Sequence, residues 1–140
     1  MSEDRQFLKD AAFAMLGAIA RKHPLGHQAS KAARFILTSR HGAEVEIMFE
    51  KNPESPPNFW CLDKAAGAAL IARLSPRASP ARLLRTARGS DGMPHYGRHS
   101  SRERMPQLGE ADLVCFALRS LTELGEITDR LRSITPSDLT

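Results

Sequence analysis

The chain has 140 residues, an apolar share of 41%, a charged share of 26% and a formal net charge of +4. This length and composition predict one globular domain over residues 1–140 and argue against a chain that is disordered throughout. No apolar run approaches the roughly 18 residues that a membrane span needs, and the first residues do not resemble a secretory leader. We therefore expect a soluble, cytoplasmic protein with no membrane partner.

The first predicted element is an amphipathic helix over residues 3–22. Its apolar residues recur at spacings of three and four, which places them on one helical face. Pro24 and Gly26 end the pattern. Small residues on the same helix leave a homodimer open as an alternative, although packing against the domain's own sheet is the expectation that we favour.

A β-hairpin is predicted over residues 34–50, with its turn at residues 39–42. The second arm alternates Val45, Ile47 and Phe49 with Glu44, Glu46, Met48 and Glu50. This period of two predicts one buried face and one wet, acidic face. Residues 51–58 are then expected to form a loop, because three prolines in eight residues are incompatible with a central strand.

The middle of the chain reads as alternating short elements. A third strand is predicted at Phe59–Leu62, and Asp63 is expected to cap a small alanine-rich helix over Lys64–Arg73. Further on, Arg82–Arg88 and Pro94–Arg98 are candidate partner strands, joined by a turn that contains two glycines.

The C-terminal part predicts a strand followed by a helix over residues 113–132. Ser120 and Glu123 have the spacing of a capping box, in which each side chain satisfies a free backbone N–H of the other residue. Because predicted strands follow one another directly, the fold class is α+β. We expect an N-terminal helix, an antiparallel or mixed sheet of about five to six strands, a small middle helix and a C-terminal helix.

Charge is concentrated in the arginine-rich segment, residues 73–104. Its eight arginines stand against only Asp91 and Glu103, a net +6 in a chain whose total is +4. Arginine presents a planar fork of donors that matches phosphate, and an aromatic ring can stack on an unpaired base. We therefore predict a small basic nucleic-acid-binding module, for DNA or RNA. The expected contact residues are Arg82, Arg85, Arg88, Tyr96, Arg98, His99, Ser100, Arg102 and Arg104.

Two other functions remain open at this stage. A phosphodiester-cleaving enzyme would use His95 or His99 as a general base, with Arg98 stabilising the charge of the transition state. An interaction or adaptor domain would instead bind an acidic protein through the same arginines. The plainest alternative is a solvated loop whose arginines pair with carboxylates of the protein itself, such as Glu44, Glu46 or Glu110.

Metal and cofactor motifs are weak. The pairs His23/His27 and His95/His99 have the spacing that puts two imidazoles on one helical face, but proline or glycine interrupts both pairs. The glutamates of the second hairpin arm, with Lys51 adjacent, lack the spacing of a restriction-type magnesium site and are interpreted as an exposed strand face. We predict no metal and no cofactor.

The two cysteines are predicted to be free, reduced core residues. Cys61 and Cys115 both lie within apolar runs, where burial raises the pKa of a thiol and lowers its reactivity. A covalent-nucleophile mechanism is therefore not expected. Trp60, next to Cys61, is expected in the core.

Overall fold

The described residues form helices packed on a six-stranded antiparallel sheet, in a computed structural model that describes residues 2–28, 31–83, 87–88, 94–95 and 104–140. The α-helices are α1 (Ser2–Ile19), α2 (Asp63–Ala66), α3 (Ala68–Leu74) and α4 (Leu121–Ser133). The strands are β1 (Arg21–Lys22), β2 (Ala32–Thr38), β3 (Glu44–Glu50), β4 (Asn58–Leu62), β5 (Arg77–Ser79), β6 (Ala87–Arg88), β7 (Pro94–His95) and β8 (Leu113–Ala117). The sheet order is β1-β2-β3-β4-β8-β5, with β6 and β7 as a separate pair. The α+β prediction is confirmed.

Helix α1 packs on the sheet through the apolar face that its sequence predicts. Ala12 and Leu16 are fully buried there. The helix ends at Ile19, three residues earlier than predicted, because Arg21 and Lys22 pair with the edge of β2 instead. On the outward side Phe7 is 71% exposed, so a homodimer through this helix stays a prediction.

The predicted hairpin is confirmed as β2 and β3, and one face of it lies under the helices. Phe35 is opposite Ile47 in the ladder, and the Phe13 ring of α1 lies 6.0 Å from the Phe35 ring. Both α1 and α4 contact β2. Strand β4 begins at Asn58, so the proline-rich loop is one residue shorter than predicted.

The opposite face of the sheet is partly buried: Glu44 is exposed as predicted, but the predicted wet acidic face is wrong at Glu46 and Met48. One row of cross-strand neighbours crosses it from β2 to β5: Arg34, Met48, Trp60, Cys115 and Arg77. Met48 is fully buried, and Glu46 is only 4% exposed. The reason is a long-range contact, because residues 107 and 108 of the chain pack on Glu46 and bind its carboxylate.

The middle helix is broken into α2 and α3 at Gly67, where the sequence predicts one helix. Gly67 has a φ of 81°, and a Cβ at this position would lie 2.9 Å from Nη2 of Arg130. Arg130 Nε donates to the carbonyl of Ala65 at 3.1 Å, so the guanidinium occupies the space that a side chain would need. Asp63 is the first residue of α2 rather than its cap, and it makes no capping hydrogen bond.

Half of the predicted capping box forms at the start of α4. Ser120 Oγ accepts a hydrogen bond from the backbone N–H of Glu123 at 3.2 Å. The Glu123 carboxylate does not accept the backbone N–H of Ser120, as a full capping box requires. It accepts instead from the backbone N–H and the guanidinium of Arg119. The buried stripe of α4, residues Leu124, Ile127 and Leu131, matches its sequence pattern.

The described residues of the arginine-rich segment include parts of both predicted strands. Where a strand is predicted at Arg82–Arg88, Ala81–Leu83 form a 3-10 helix and Ala87–Arg88 form β6. Strand β7 pairs antiparallel with β6, with Ala87 opposite His95. The predicted turn at residues 89–92 lies outside the described residues.

Candidate nucleic-acid interface

Most of the arginine-rich segment lies between two points of the chain, Ala81 and Pro106, that line the same cleft. This cleft is about 490 Å³ in volume, and Ala81, Pro106 and Gln107 are among the residues that line it. Residues 82–105 between them, here called the arginine loop, hold six arginines against Asp91 and Glu103, a net +4. Both ends of the loop therefore lie at the same cleft.

The first end of the arginine loop is fixed by Asp112. Its Oδ1 accepts a hydrogen bond from the backbone N–H of Ala81 at 2.7 Å. Asp63 lines the same cleft, and burial together with the nearby Asp112 carboxylate raises the pKa of Asp63. The cleft is therefore polar and partly acidic.

The second end of the loop is fixed by Glu46. Its Oε1 accepts from the backbone N–H groups of Gln107 at 2.7 Å and of Leu108 at 3.0 Å. The Gln107 side chain returns the contact: its Oε1 accepts from the Glu46 N–H, and its Nε2 donates to the carbonyl of Glu44. Met105 and Leu108 are buried on either side of this contact, so the end of the loop is both hydrogen-bonded and packed.

His23 completes this anchor from the other side of Glu46. Its Nε2 lies 2.7 Å from Oε2 of Glu46, and its Nδ1 accepts from the N–H of Leu25 at 3.0 Å. An accepting Nδ1 carries no proton, so Nε2 must carry it and donate it to Glu46. Both ring nitrogens are therefore engaged within the protein, and His23 is neither a metal ligand nor a free base here.

The arginines before the loop are held by contacts within the protein. Arg73 forms a bidentate ion pair with Glu126, at 2.7 Å and 2.9 Å, and this pair lowers the pKa of Glu126. Arg77 lies over the Trp60 ring, with its guanidinium carbon 5.3 Å from the ring centroid. Trp60 is buried, as expected for a core residue, so its indole is not a surface for stacking bases.

Of the nine predicted contact residues, the structure describes the side chains of the two at the ends of the loop. Arg82 and Arg104 are both exposed. Arg104 also lines a second cleft, of about 370 Å³, together with His23, Leu25 and Gln107. Arg88 and the enzymatic candidate His95 lie in β6 and β7. The others lie outside the described residues: Arg85, Tyr96, Arg98, His99, Ser100 and Arg102.

The glutamates of β3 are structural rather than metal-binding. Glu44 pairs with Arg21 at 3.0 Å. Glu50 Oε2 accepts from Asn58 Nδ2 at 2.9 Å and from Trp60 Nε1 at 2.8 Å. In the described part of the chain, no group of three or more His, Cys, Asp or Glu side chains is placed to hold a metal ion.

The cysteines are free and buried, as predicted. Cys61 is opposite Val114 and Cys115 is opposite Trp60, so the two thiols point to different faces of the sheet. Burial raises the pKa of Cys61 far above its ordinary value. A disulfide between them would require one strand to turn over.

Comparison with known proteins assigns no function to this surface. Among the described residues, no helix combines the length and the apolarity needed to cross a membrane. No protein-family model, curated protein or solved structure gives a significant match to this chain.

Proposed function

We propose that this chain is a small nucleic-acid-binding module whose arginine loop contacts backbone phosphates. The observation that supports it best is the anchoring of both loop ends at one cleft. The loop holds six arginines in its sequence, and the arginines at its two ends, Arg82 and Arg104, are exposed.

The contacts expected at this surface are electrostatic. Each guanidinium that binds a phosphate releases condensed counterions from the nucleic acid, so affinity falls as salt rises. Phosphate contacts fix the position of a protein on the polymer without reading its sequence. We exclude Arg73 from the surface, because its bidentate pair with Glu126 already occupies the guanidinium.

Fluorescence anisotropy with short labelled oligonucleotides tests this proposal. Single-stranded and double-stranded DNA and RNA are titrated at salt concentrations between about 50 and 200 mM. We expect log K to fall linearly with log salt, and Arg82→Ala with Arg104→Ala to make the slope on double-stranded DNA less steep by about 2. An affinity that does not change with salt, or no binding at the lowest salt, overturns the proposal.

A matched control removes the same charge elsewhere. Arg5 and Arg119 line a separate cleft beside Pro57 and Ala117. It lies where β4 begins and β8 ends, whereas the first cleft lies at the other ends of these two strands. The double variant Arg5→Ala with Arg119→Ala lowers the net charge by the same amount as the loop variant. If both double variants reduce the slope equally, the binding is due to net charge rather than to the arginine loop.

The same titrations separate the two other functions. Cleavage of the labelled strand that is lost in His99→Ala would select a phosphodiester-cleaving enzyme. A chain that binds no oligonucleotide but forms a stable complex with an acidic protein would select the adaptor function. Neither alternative has a described contact in its favour.

A further inference from the structure

The second cleft, the one that Arg104 lines, exposes apolar side chains on the sheet face that carries Glu46. Its four apolar lining residues are all at least partly exposed: Pro24, Leu25, Ile36 and Pro106. Leu25 is 40% exposed and is one of three large apolar side chains that are exposed among the described residues. With a volume of about 370 Å³ and a few polar groups beside these apolar ones, the cleft has the size and lining of a small-molecule site.

The turn that carries Leu25 into this cleft is held at both ends by one residue of β2. The backbone N–H of His23 donates to the carbonyl of Arg34 at 3.0 Å, and the backbone N–H of Arg34 donates to His27 Nδ1 at 2.9 Å. Within the turn, the N–H of Gly26 donates to the carbonyl of His23 at 2.8 Å. These contacts fix the backbone of Leu25 without a ligand, and a preformed site loses less entropy on binding.

The charged group that the second cleft offers to a ligand is the guanidinium of Arg104. Glu44 is paired with Arg21 at 3.0 Å. Glu46 is buried, and its oxygens already accept from His23 Nε2 and from the backbone N–H groups of residues 107 and 108. Arg104 is exposed and forms no ion pair in the part of the chain that the structure describes. Its fork of donors fits the oxygens of a phosphate.

The larger first cleft is unsuited to the same ligand, although Pro106 lines both clefts. Asp63, Glu110 and Asp112 line the first cleft, and Lys64 is the one cation among its described lining residues. Burial and the nearby Asp112 carboxylate raise the pKa of Asp63, so negative charge is already crowded there. Of these two clefts, the second is therefore the one that favours an anion.

We infer that the second cleft binds one nucleotide, with its base against Leu25 and Ile36 and its phosphate on Arg104. The choice of ligand rests on the proposed function, because Arg104 belongs to the arginine loop. Apolar side chains can stack on the faces of an unpaired base, and an arginine fork binds phosphate. A base must leave its duplex to enter such a cleft, which costs free energy, so single strands are preferred over duplexes.

NMR of methyl groups in the full chain tests the site, with adenosine 5′-monophosphate as the probe. Ribose 5-phosphate, which has the phosphate and the sugar but no base, is titrated in parallel at constant ionic strength. A stacked purine shifts nearby methyl signals by its ring current. We expect saturable shifts at Leu25 and Ile36 with the nucleotide only, and none at Leu121, which is also 40% exposed but does not line the cleft.

Two results of this titration overturn the inference. The first is equal affinity for the nucleotide and for ribose 5-phosphate, because the base would then add nothing to binding. The second is a shift at Leu121 as large as those at Leu25 and Ile36, because the nucleotide would then bind without preference for the cleft.

Variants assign binding to the two parts of the site. Leu25→Ala keeps the backbone N–H that donates to His23, and it is expected to weaken nucleotide binding about fivefold without affecting ribose 5-phosphate. Arg104→Ala is expected to weaken the binding of both ligands. The matched controls Leu121→Ala and Arg82→Ala are expected to leave nucleotide binding within about twofold.

Equal weakening by Leu25→Ala and Leu121→Ala overturns the site. Thermal unfolding of each variant checks that it is folded. If Leu25→Ala does not fold, the comparison of the nucleotide with ribose 5-phosphate on the unmodified chain still decides.

Oligonucleotides separate this inference from the proposed function. A single strand should produce the same shifts at Leu25 and Ile36, and Leu25→Ala should weaken the binding of single strands more than that of duplexes. Salt-dependent oligonucleotide binding that leaves both methyl signals unmoved supports the arginine loop but overturns the cleft. Shifts with the free nucleotide but no oligonucleotide binding overturn the proposed function and support the cleft as a site for a free nucleotide.

Discussion

His23 Nε2 and Glu46 Oε2 lie 2.7 Å apart, and both side chains are only 5% exposed. This pair joins the turn after β1 to the central strand β3, and the other oxygen of Glu46 holds the end of the arginine loop. A single buried carboxylate thus connects two segments, at His23 and at Gln107, that are 84 residues apart in the chain.

We predict that Glu46→Gln destabilises the fold by about 1–3 kcal/mol. The new amide can still accept from Gln107 and Leu108, but its NH2 group then faces the proton on His23 Nε2. His23 cannot move that proton to Nδ1 without losing the hydrogen bond from Leu25. Urea unfolding measures the change.

The neighbouring glutamate on the same strand is the control for that measurement. Glu44 pairs with Arg21 at a site where both side chains are at least half exposed, so Glu44→Gln should cost about 0.5 kcal/mol or less. Equal urea midpoints for the two variants would contradict the prediction, because the buried carboxylate of Glu46 would then stabilise the fold no more than the exposed one of Glu44.

Two glycines should respond to alanine in opposite directions. Gly67→Ala forces a Cβ into a left-handed backbone and against the Arg130 guanidinium, which should cost about 1–2 kcal/mol. Gly125→Ala places a methyl in open space within α4 and should stabilise the protein by about 1 kcal/mol. Thermal unfolding of the two variants checks this, and a lower melting temperature for Gly125→Ala would contradict it.

Trp60 is the single tryptophan of the chain, so its fluorescence reports on one place. Arg77→Ala removes the guanidinium over the indole and should move the emission to longer wavelength as water reaches the ring. Arg73→Ala, which changes an arginine paired with Glu126, should leave the emission unchanged. A red shift of equal size in both variants would mean that the whole edge of the sheet had loosened.

The stability of the protein should depend on pH through His27. Its folded pKa lies below the ordinary value of 6.5, so on acidification the unfolded chain takes up this proton first. The contribution is therefore fully present above pH 6.5 and is lost as the pH falls through the folded pKa. In His27→Asn, whose Oδ1 can still accept from Arg34, the difference in urea midpoint between pH 7.5 and 5.5 should shrink. An unchanged difference would mean that other groups carry the pH dependence.

Local patterns in the sequence predict the elements, but not the contacts that complete them. The alternation around Ile47 is sufficient for the β2–β3 hairpin, because Val45, Ile47 and Phe49 all lie on one buried face. The burial of Glu46 is not predictable in this way, since its partners Gln107 and Leu108 lie about 60 residues later. The helix ends early at Ile19 for the same kind of reason, because the edge of β2 takes up Arg21 and Lys22.

Charge counting has the same limit at the candidate interface. The sequence correctly indicates where arginine is concentrated, but Arg73 and Arg77 are engaged by Glu126 and Trp60, which no local pattern reveals. Sequence can place charges along a chain, whereas their grouping in space depends on the sheet.

The common cleft at Ala81 and Pro106 has a consequence for how this protein tolerates change. A connection that departs and returns at one spot can grow or shrink without moving the scaffold, because each doubling of its length costs only about 0.6 kcal/mol in closure entropy. We therefore expect that residues 82–105 can be replaced by a segment of different length, provided that Asp112 and Glu46 keep their hydrogen bonds to the backbone at its two ends.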